Sequence, residues 1–179
     1  FIASYLESYL NSIKYNQIKN KGKIKDITLL DMGTGSGIIS ETAFKSGVRK
    51  KDIFSCDIDV ESVNLVKSKG FRGVLSDLFS AVKGRFDIIV FNPPYLPEDK
   101  YDKAIDTSGG RKGDETTIEF IRQAKPHLSK AGVIILLLSS FTPLKNIKKE
   151  IEKNSFRYRI TAEKPLFFEK LYILEINNK

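Results

Sequence analysis

The sequence has one cysteine, Cys56, and no long apolar run. A single cysteine excludes an internal disulfide and any metal site built from several cysteines, and we expect Cys56 to be a small core residue. No apolar stretch reaches the roughly 20 residues that a membrane-spanning helix needs. We therefore predict a soluble protein of a reducing compartment, the cytoplasm, with no metal site.

An initiator methionine is also missing, because the sequence begins at Phe1 and its only methionine is Met32. We expect a trimmed chain or a portion of a longer one. The 179 residues are 41% hydrophobic, which is enough for one good core, and no repeat or shift in composition divides them. We predict one domain over 1–179, with an N-terminal helix (1–18), a basic linker (19–26) and a catalytic core (27–179).

Negative charge is scarce, since 30 Lys and Arg face 22 Asp and Glu and leave a net charge of +8. Such an excess indicates acidic surroundings such as RNA, DNA or a ribosome. The lysines are scattered, however, and many stand beside acids, so a solvated lysine-rich surface explains the charge equally well.

Apolar runs typical of buried strands alternate with helical patterns along the core. The predicted strands are 27–30, 53–56, 73–75, 86–91 and 133–138, and the predicted helices are 38–47, 60–69 and 114–128. Thr142-Pro143 predicts a further helix with a threonine cap and a proline at its first position. The last two runs, 156–162 and 167–176, have only a short connection and should pair antiparallel. The pattern predicts an α/β fold with a mostly parallel, doubly wound sheet and a terminal antiparallel strand.

The most informative motif is Asn92-Pro93-Pro94-Tyr95, directly after the run 86–91. Two proline rings stiffen the turn and remove two backbone donors. The Asn92 side-chain carbonyl and the Pro93 backbone carbonyl can then accept both hydrogens of one planar NH2 group. Glutamine amide, adenine N6, cytosine N4 and guanine N2 all fit this arrangement. An ordinary proline turn is the alternative.

A glycine loop, Asp31-Met32-Gly33-Thr34-Gly35-Ser36-Gly37, connects the first strand to a helix. Glycines let a ligand approach the backbone, and the helix start offers free NH groups. The third glycine comes one position too early for a dinucleotide site. Asp31 would repel a phosphate but could accept from an ammonium group, so a nucleoside that carries an amino acid fits better.

Acids follow the next two strands. Asp57 stands where a carboxylate can accept from both ribose hydroxyls, and Asp59 is a less well placed alternative. Asp77 can accept from an adenine amino group, with the Leu78 backbone NH near the ring. Each acid taken singly is better explained as a solubilising residue at a strand end. Their shared position at carboxyl ends of strands favours a ligand site.

These residues, in this order, resemble the class I S-adenosylmethionine-dependent methyltransferases, whose Rossmann-like fold the chain should share. Within that class the chain most resembles the HemK/PrmC-like protein glutamine methyltransferases, in particular the short eukaryotic and archaeal branch that acts on release factors. The similarity extends to the glycine-rich segment 109–115 and to Phe168-Glu169-Lys170-Leu171-Tyr172.

The resemblance implies a role for each matching position. The cofactor is S-adenosyl-L-methionine, which leaves as S-adenosyl-L-homocysteine, and the acceptor is a glutamine amide in the Gly-Gly-Gln loop of a class I release factor. It also implies a small zinc-binding activator protein as a heterodimer partner. The catalytic residues would be Asn92, Pro93, Pro94 and Tyr95. The cofactor-binding residues would be Asp31, Gly33, Thr34, Gly35, Gly37, Asp57, Ile58, Asp77, Leu78 and Asn92.

Three hypotheses remain open from the sequence. The first is a protein glutamine methyltransferase. The second is a DNA or RNA amino methyltransferase that flips its base onto Tyr95, which the positive charge favours and the lack of a clustered aromatic platform disfavours. The third is a non-catalytic binding module, against which the intact motif at Asn92 argues. His127 follows Pro126 late in a helix and has no predicted catalytic role.

Overall fold

The computed structural model describes residues 1–19, 26–94 and 113–179. These residues form two compact units, Phe1–Val90 and Phe91–Lys179, which we describe separately. The prediction of a single domain stays a prediction.

The first unit alternates helices and strands, as the periodicity predicts. Its elements are α1 (Ile2–Lys19), β1 (Leu29–Met32), α2 (Ile38–Lys45), β2 (Ile53–Asp57), α3 (Val60–Ser68), β3 (Arg72–Leu75) and β4 (Phe86–Phe91), and Phe91 opens the second unit. The strand order in this unit is β3-β2-β1-β4. β1 pairs parallel with β2, and β2 pairs parallel with β3. The carboxyl ends of β1, β2 and β3 therefore lie at one edge.

All four residues of β1 are buried. Parallel strands have both faces covered, which explains why β1 and β4 read as nearly continuous apolar runs. Helix α1 packs against α2 and buries Leu6 and Leu10 completely or nearly so. This packing holds the N-terminal helix on the first unit.

The second unit has antiparallel strands at its C-terminal end. Its elements are α4 (Glu115–Ala124), β5 (Leu128–Ser139), α5 (Leu144–Lys153), β6 (Phe156–Pro165) and β7 (Lys170–Asn178). β7 lies between β5 and β6 and is antiparallel to both. The predicted antiparallel pairing of the last two strands is confirmed, as is the predicted α/β class.

Some predicted bounds are wrong. The first strand is 29–32 rather than 27–30, because Asp31 and Met32 are buried in the ladder with β2. The fourth predicted helix does not reach Leu128. It ends at Ala124, a short 3-10 turn through Pro126 follows, and β5 begins at Leu128. Proline cannot donate to an α-helical ladder, which explains this early end.

Two further predictions about turns are wrong. The Thr142 side chain does not cap α5, because its buried Oγ1 has no hydrogen-bond partner among the described residues and Pro143 is the N-cap rather than the first helical residue. The last strand begins at Lys170 rather than at Phe167, since residues 166–169 form the connection between β6 and β7. In the part of the chain that the structure describes, no helix is long and apolar enough to cross a membrane.

Candidate functional site

Asp31 is a buried carboxylate at the end of β1. Its Oδ2 accepts three hydrogen bonds, from Thr34 Oγ1 at 2.7 Å, Ser40 N at 3.1 Å and Ser40 Oγ at 2.7 Å. The Ser40 hydroxyl also lies 2.8 Å from Ser55 Oγ. All side-chain hydrogen bonds of Asp31 with the described residues are thus accepted by Oδ2. The other carboxylate oxygen, Oδ1, can accept from a ligand.

Burial raises the pKa of Asp31 to about 6, and its hydrogen bonds with Thr34 and Ser40 oppose that rise. Desolvation disfavours the charged form of a buried carboxyl group. At neutral pH the group is still mostly ionised. A cation near Oδ1 would lower this pKa again, so the geometry favours an ammonium group as ligand.

Two residues of the glycine loop are held by the end of β2. Thr34 N donates to the Cys56 carbonyl at 3.0 Å, and Gly35 N donates to Asp57 Oδ2 at 2.8 Å. Gly35 has a φ of 48°, in the left-handed region that favours glycine. A Cβ atom at Gly35 would meet no atom of the described residues within 4 Å, so the loop faces open space in this part of the structure.

Lys69 holds the next residue of the loop from the end of α3. Its Nζ donates to the Ser36 carbonyl at 2.6 Å and pairs with Glu41 Oε1 at 2.6 Å. The pKa of Glu41 is lowered, chiefly by its hydrogen bond with Lys69. Each of residues 34, 35 and 36 therefore has at least one hydrogen bond that fixes it to a neighbouring element.

Asp57 ends β2 and accepts with both oxygens. Besides its bond with the loop, its Oδ1 accepts from Asp59 N at 3.0 Å. Asp59 instead caps α3, because its carboxylate accepts from Ser62 N at 2.8 Å and from Glu61 N at 3.3 Å. The pKa of Asp59 is lowered, first by the Ser62 hydroxyl. The two acids therefore differ in role. Asp59 caps a helix, whereas Asp57 contacts the glycine loop.

The turn after β3 contains the other predicted adenine contacts. Asp77 is exposed, and Leu78 has a φ of 45°, which is rare for a residue with a side chain. Ser76 holds this turn, as its hydroxyl donates to the Leu78 carbonyl at 2.7 Å and accepts from Ala81 N at 3.0 Å. Backbone strain of this kind is frequent at ligand sites.

The proline turn follows β4 directly and belongs to the second unit. Asn92 is exposed, Pro93 is buried and Pro94 is partly buried. Among residues 1–19, 26–94 and 113–179, no hydrogen bond uses the Asn92 side chain or the Pro93 carbonyl. The Phe91 ring packs on Phe120 at 4.6 Å between centroids and fixes the start of the turn. Within the described ranges both predicted acceptors are therefore unused, which agrees with a role in binding a ligand.

Several predicted residues lie outside the described ranges or outside the site. Tyr95 and the segment 109–112 fall outside the described residues. Cys56 is buried, with its Sγ 3.4 Å from Met32 Sδ, and burial raises its pKa to about 12. The thiol is therefore protonated at neutral pH, and the expected core role of Cys56 is confirmed. His127 lies in the short 3-10 turn before β5.

Sequence reasoning missed the residues that hold the site in shape. Ser40, Lys69 and Ser76 each bond to a predicted residue or to the loop itself, and the Ser55 hydroxyl contacts that of Ser40. The contacts of Ser40, Ser55 and Lys69 join residues 9, 15 and 33 positions apart, so no local pattern predicts them, whereas Ser76 bonds within its own turn. The capping role of Asp59 did have a signal, since an aspartate three residues before Ser62 is typical of a helix start.

The comparison with known proteins decides the family. Residues 15–167 match the methyltransferase small domain family. The chain belongs to this family. A Methanocaldococcus jannaschii relative, named "Putative protein N5-glutamine methyltransferase", is 34% identical over 169 residues, which are 88% of this chain and 84% of the relative. The predicted membership of the HemK/PrmC-like group is confirmed.

Bacterial relatives of this methyltransferase are longer. The ribosomal RNA small subunit methyltransferase C of Cronobacter sakazakii is 31% identical over 140 residues, which cover 73% of this chain but 35% of that protein. The chain thus spans about a third of this relative.

Solved structures show the fold of the methyltransferase. A chain of the E. cuniculi Mtq2-Trm112 complex, described as responsible for methylation of the eRF1 translation termination factor, has a TM-score of 0.71 at 22% identity and covers 96% of this chain and 94% of its own length. The Synechocystis magnesium protoporphyrin IX methyltransferase with bound S-adenosylmethionine has a TM-score of 0.61 at 15% identity. The match covers 97% of this chain and 79% of the Synechocystis chain. These likenesses confirm the predicted Rossmann-like class I fold, and the match to the methyltransferase family confirms the predicted S-adenosylmethionine cofactor.

The first unit of the methyltransferase fits S-adenosylmethionine. Asp31 Oδ1 suits the ammonium group of the methionine end, and the open space at Gly35 lets that end approach the backbone. Ile58, directly after Asp57, is 60% exposed, so an apolar surface that could meet a flat ring lies next to a carboxylate that could accept from ribose hydroxyls. An exposed isoleucine has no role in the core, so the donor set and its surroundings agree with this cofactor.

Proposed function

We propose that the protein methylates the side-chain amide nitrogen of a glutamine, in the Gly-Gly-Gln loop of a class I release factor. The observation that carries this proposal is the pair of available acceptors at Asn92 and Pro93, directly after β4. Support comes from the M. jannaschii relative, whose name describes an N5-glutamine methyltransferase, and from the Mtq2-Trm112 fold.

In this mechanism the protein contributes position and electrostatics. S-adenosylmethionine supplies an electrophilic methyl group on a sulfonium when it is bound. Asp31, Gly33, Thr34, Gly35 and Gly37 would hold its methionine end, Asp57 the ribose, and Ile58, Asp77 and Leu78 the adenine. We assign Asn92 two roles, because it would contact the cofactor and would also bind the amide group of the substrate.

Asn92 Oδ1 and the Pro93 carbonyl would each accept one hydrogen of the substrate NH2. An amide nitrogen is a poor nucleophile because its lone pair is delocalised, and two acceptors outside the amide plane help to free that pair. They would also stabilise the positive charge that develops on the nitrogen as its bond to the methyl carbon forms and the carbon–sulfur bond breaks, and one N–H proton would then pass to water. Correct alignment alone can supply roughly 7–11 kcal/mol of the barrier. Pro94 stiffens the turn, and Tyr95 would wall the pocket.

A small zinc-binding activator protein is the partner that we propose for this chain. The similarity in fold to a chain of the Mtq2-Trm112 complex supports it. Size-exclusion chromatography of the chain with and without such a protein would test the heterodimer, and separate elution of the two would contradict it.

A nucleic-acid amino methyltransferase is the second candidate, because a nucleobase NH2 fits the same acceptors. The net charge of +8 and the ribosomal RNA methyltransferase relative favour it. The archaeal relative that matches over nearly its whole length favours the protein acceptor.

One assay separates the two candidates. The protein, with and without the activator, is incubated with methyl-labelled S-adenosylmethionine and either a class I release factor or mixed DNA and RNA. We expect label in the release factor and none in a factor whose loop glutamine is replaced by alanine. Label in nucleic acid alone would refute the proposal.

A further inference from the structure

The connection between β6 and β7 exposes two phenylalanines to water. Phe167 is 92% exposed and Phe168 is 82% exposed. Their rings pack on each other with centroids 4.4 Å apart. Leu166 N donates to the Glu169 carbonyl at 2.7 Å and closes the turn around them. We call residues 166–169 the hairpin tip.

The two phenylalanines do not serve the geometry of this turn. Pro165 pairs with Lys170, so the connection has four residues, a length that is most often built around a type I turn with no need for aromatic side chains. Phe167 and Phe168 are not among the residues with positive φ, and neither side chain is buried in a core. The turn would form at least as well with small polar residues. Apart from the contact of the two rings with each other, nothing among the described residues accounts for aromatic side chains at this position.

A second loop adds to the exposed apolar surface. Phe141 is 50% exposed, and the loop that carries it is bonded to the base of the hairpin tip. Ser140 N donates to the Lys170 carbonyl at 2.7 Å, and Lys170 N donates to Ser140 Oγ at 3.0 Å. Together Phe141, Leu166, Phe167 and Phe168 form what we call the aromatic patch.

The aromatic patch lies beyond the carboxyl end of β5. The register pairs Ser139, the last residue of β5, with Leu171 of β7, so the tip and the Phe141 loop both extend past this end. Open α/β sheets bind their ligands at the carboxyl ends of strands. The position is that of a surface that meets substrate.

The charges around the hairpin tip argue for a protein as the occupant. Glu163, Lys164, Glu169 and Lys170 flank it, two of each sign, and Lys170 Nζ lies 3.3 Å from Glu163 Oε2. Nucleic-acid binding draws its affinity from an excess of Lys and Arg at phosphates. This rim offers no such excess, whereas an aromatic centre with a mixed polar rim is typical of protein interfaces.

We propose that the aromatic patch docks the protein substrate, through apolar side chains of the substrate that lie outside its methylated loop. This inference rests on the proposed function, because it takes the acceptor to be a protein. Phe167 and Phe168 are the residues that contribute most to docking, as buried aromatic side chains do in other interfaces.

The test compares a whole release factor with a short peptide that carries only its Gly-Gly-Gln loop. For the double variant Phe167→Ser/Phe168→Ser we expect KM for the whole factor to rise roughly tenfold or more while kcat changes less than about twofold. KM for the peptide and the affinity for S-adenosylhomocysteine should stay unchanged. Phe167→Leu/Phe168→Leu should restore most of the affinity for the whole factor.

Tyr15→Ser is the matched control, because Tyr15 is an exposed aromatic residue on α1 in the first unit. This variant should leave KM for the whole factor and KM for the peptide unchanged. An unchanged KM for the whole factor in the double variant would overturn the inference, as would an equal loss on factor and peptide. Conversion of a dimer to a monomer, or loss of binding to phosphatidylcholine vesicles, with KM unchanged would also overturn it. Failure of the unmodified protein to label the factor would instead refute the proposed function.

Discussion

The glycine loop after β1 and the proline turn after β4 reach rigidity in different ways. The loop has flexible residues, and its shape depends on bonds from Asp31, Asp57 and Lys69. The turn has no such bonds among the described residues, and two proline rings fix it covalently. Cofactor binding should therefore respond to changes at several surrounding residues, whereas turnover should depend on the turn itself.

The largest expected effect separates chemistry from cofactor binding. Asn92→Ala removes an acceptor that acts as charge develops on the substrate nitrogen, and we expect kcat to fall by roughly 10²–10³. The dissociation constant for S-adenosylhomocysteine, measured by calorimetry, should change less than about threefold. Asn64→Ala, at an exposed asparagine on α3, is the control and should keep full activity. Near-normal turnover of Asn92→Ala would refute the role of the turn.

A second effect tests the open space at the loop. Gly35→Ala and Gly84→Ala both place a Cβ at positive φ, and in both cases no atom of residues 1–19, 26–94 or 113–179 lies within 4 Å of it. Each should lower the free energy of unfolding by about 1–2 kcal/mol. Only Gly35→Ala should weaken S-adenosylhomocysteine binding, by roughly tenfold or more, because its methyl group occupies cofactor space. Equal affinities of the two variants would place the cofactor elsewhere.

The third effect is the pH dependence of cofactor binding. Because the pKa of Asp31 is about 6 and an ammonium ligand lowers it, acid should weaken binding. We expect a roughly tenfold rise in the S-adenosylhomocysteine dissociation constant from pH 7 to pH 5. Asp31→Asn should bind weakly at both pH values and lose this dependence.

Acid should weaken cofactor binding but stabilise the ligand-free fold. Since the folded pKa of Asp31 exceeds the ordinary value of 3.8, the folded state binds the proton more tightly between these values. The Asp31 contribution therefore stabilises the ligand-free fold as pH falls from 7 toward 4. Urea unfolding of the protein and of Asp31→Asn across this range measures that contribution. We expect the free energy of unfolding of the protein, relative to that of Asp31→Asn, to rise as pH falls. A relative free energy that falls with pH would contradict this prediction.

The smallest expected effect concerns Lys69. Lys69→Met removes the bond to the Ser36 carbonyl, and the side chain is about one-third exposed, so the loss should be modest. We expect a threefold to fivefold weaker affinity for S-adenosylhomocysteine, on the order of 1 kcal/mol, with kcat unchanged. Lys69→Arg should recover part of it. Lys67→Met, on an exposed lysine of the same helix, should show no change.

The sequence predicted those features that depend on local pattern. The strand 86–91 has the predicted bounds because its run is apolar except for Asp87, and the glycines do follow a buried strand, although Asp31 belongs to that strand. Helix ends were harder, since Pro126 shortens α4 and leaves Leu128 to β5.

The contacts that shape the site depend on the folded chain. Lys69 reaches Ser36 across 33 positions, and Ser40 meets Ser55 through side-chain direction, so no spacing rule could identify either contact. The exposed phenylalanines of the hairpin tip were predicted to lie in a strand, because apolar residues in a row indicate a strand whether or not they are buried.

The central claim is that the methyl group goes to a glutamine amide nitrogen. Mass spectrometry of a release factor after incubation with the protein, the activator and isotopically labelled S-adenosylmethionine locates the methyl group by residue. We predict one added methyl group on the side-chain nitrogen of the Gly-Gly-Gln glutamine, and none with Asn92→Ala. A methyl group on another residue type, or on nucleic acid and not on the factor, would contradict this account.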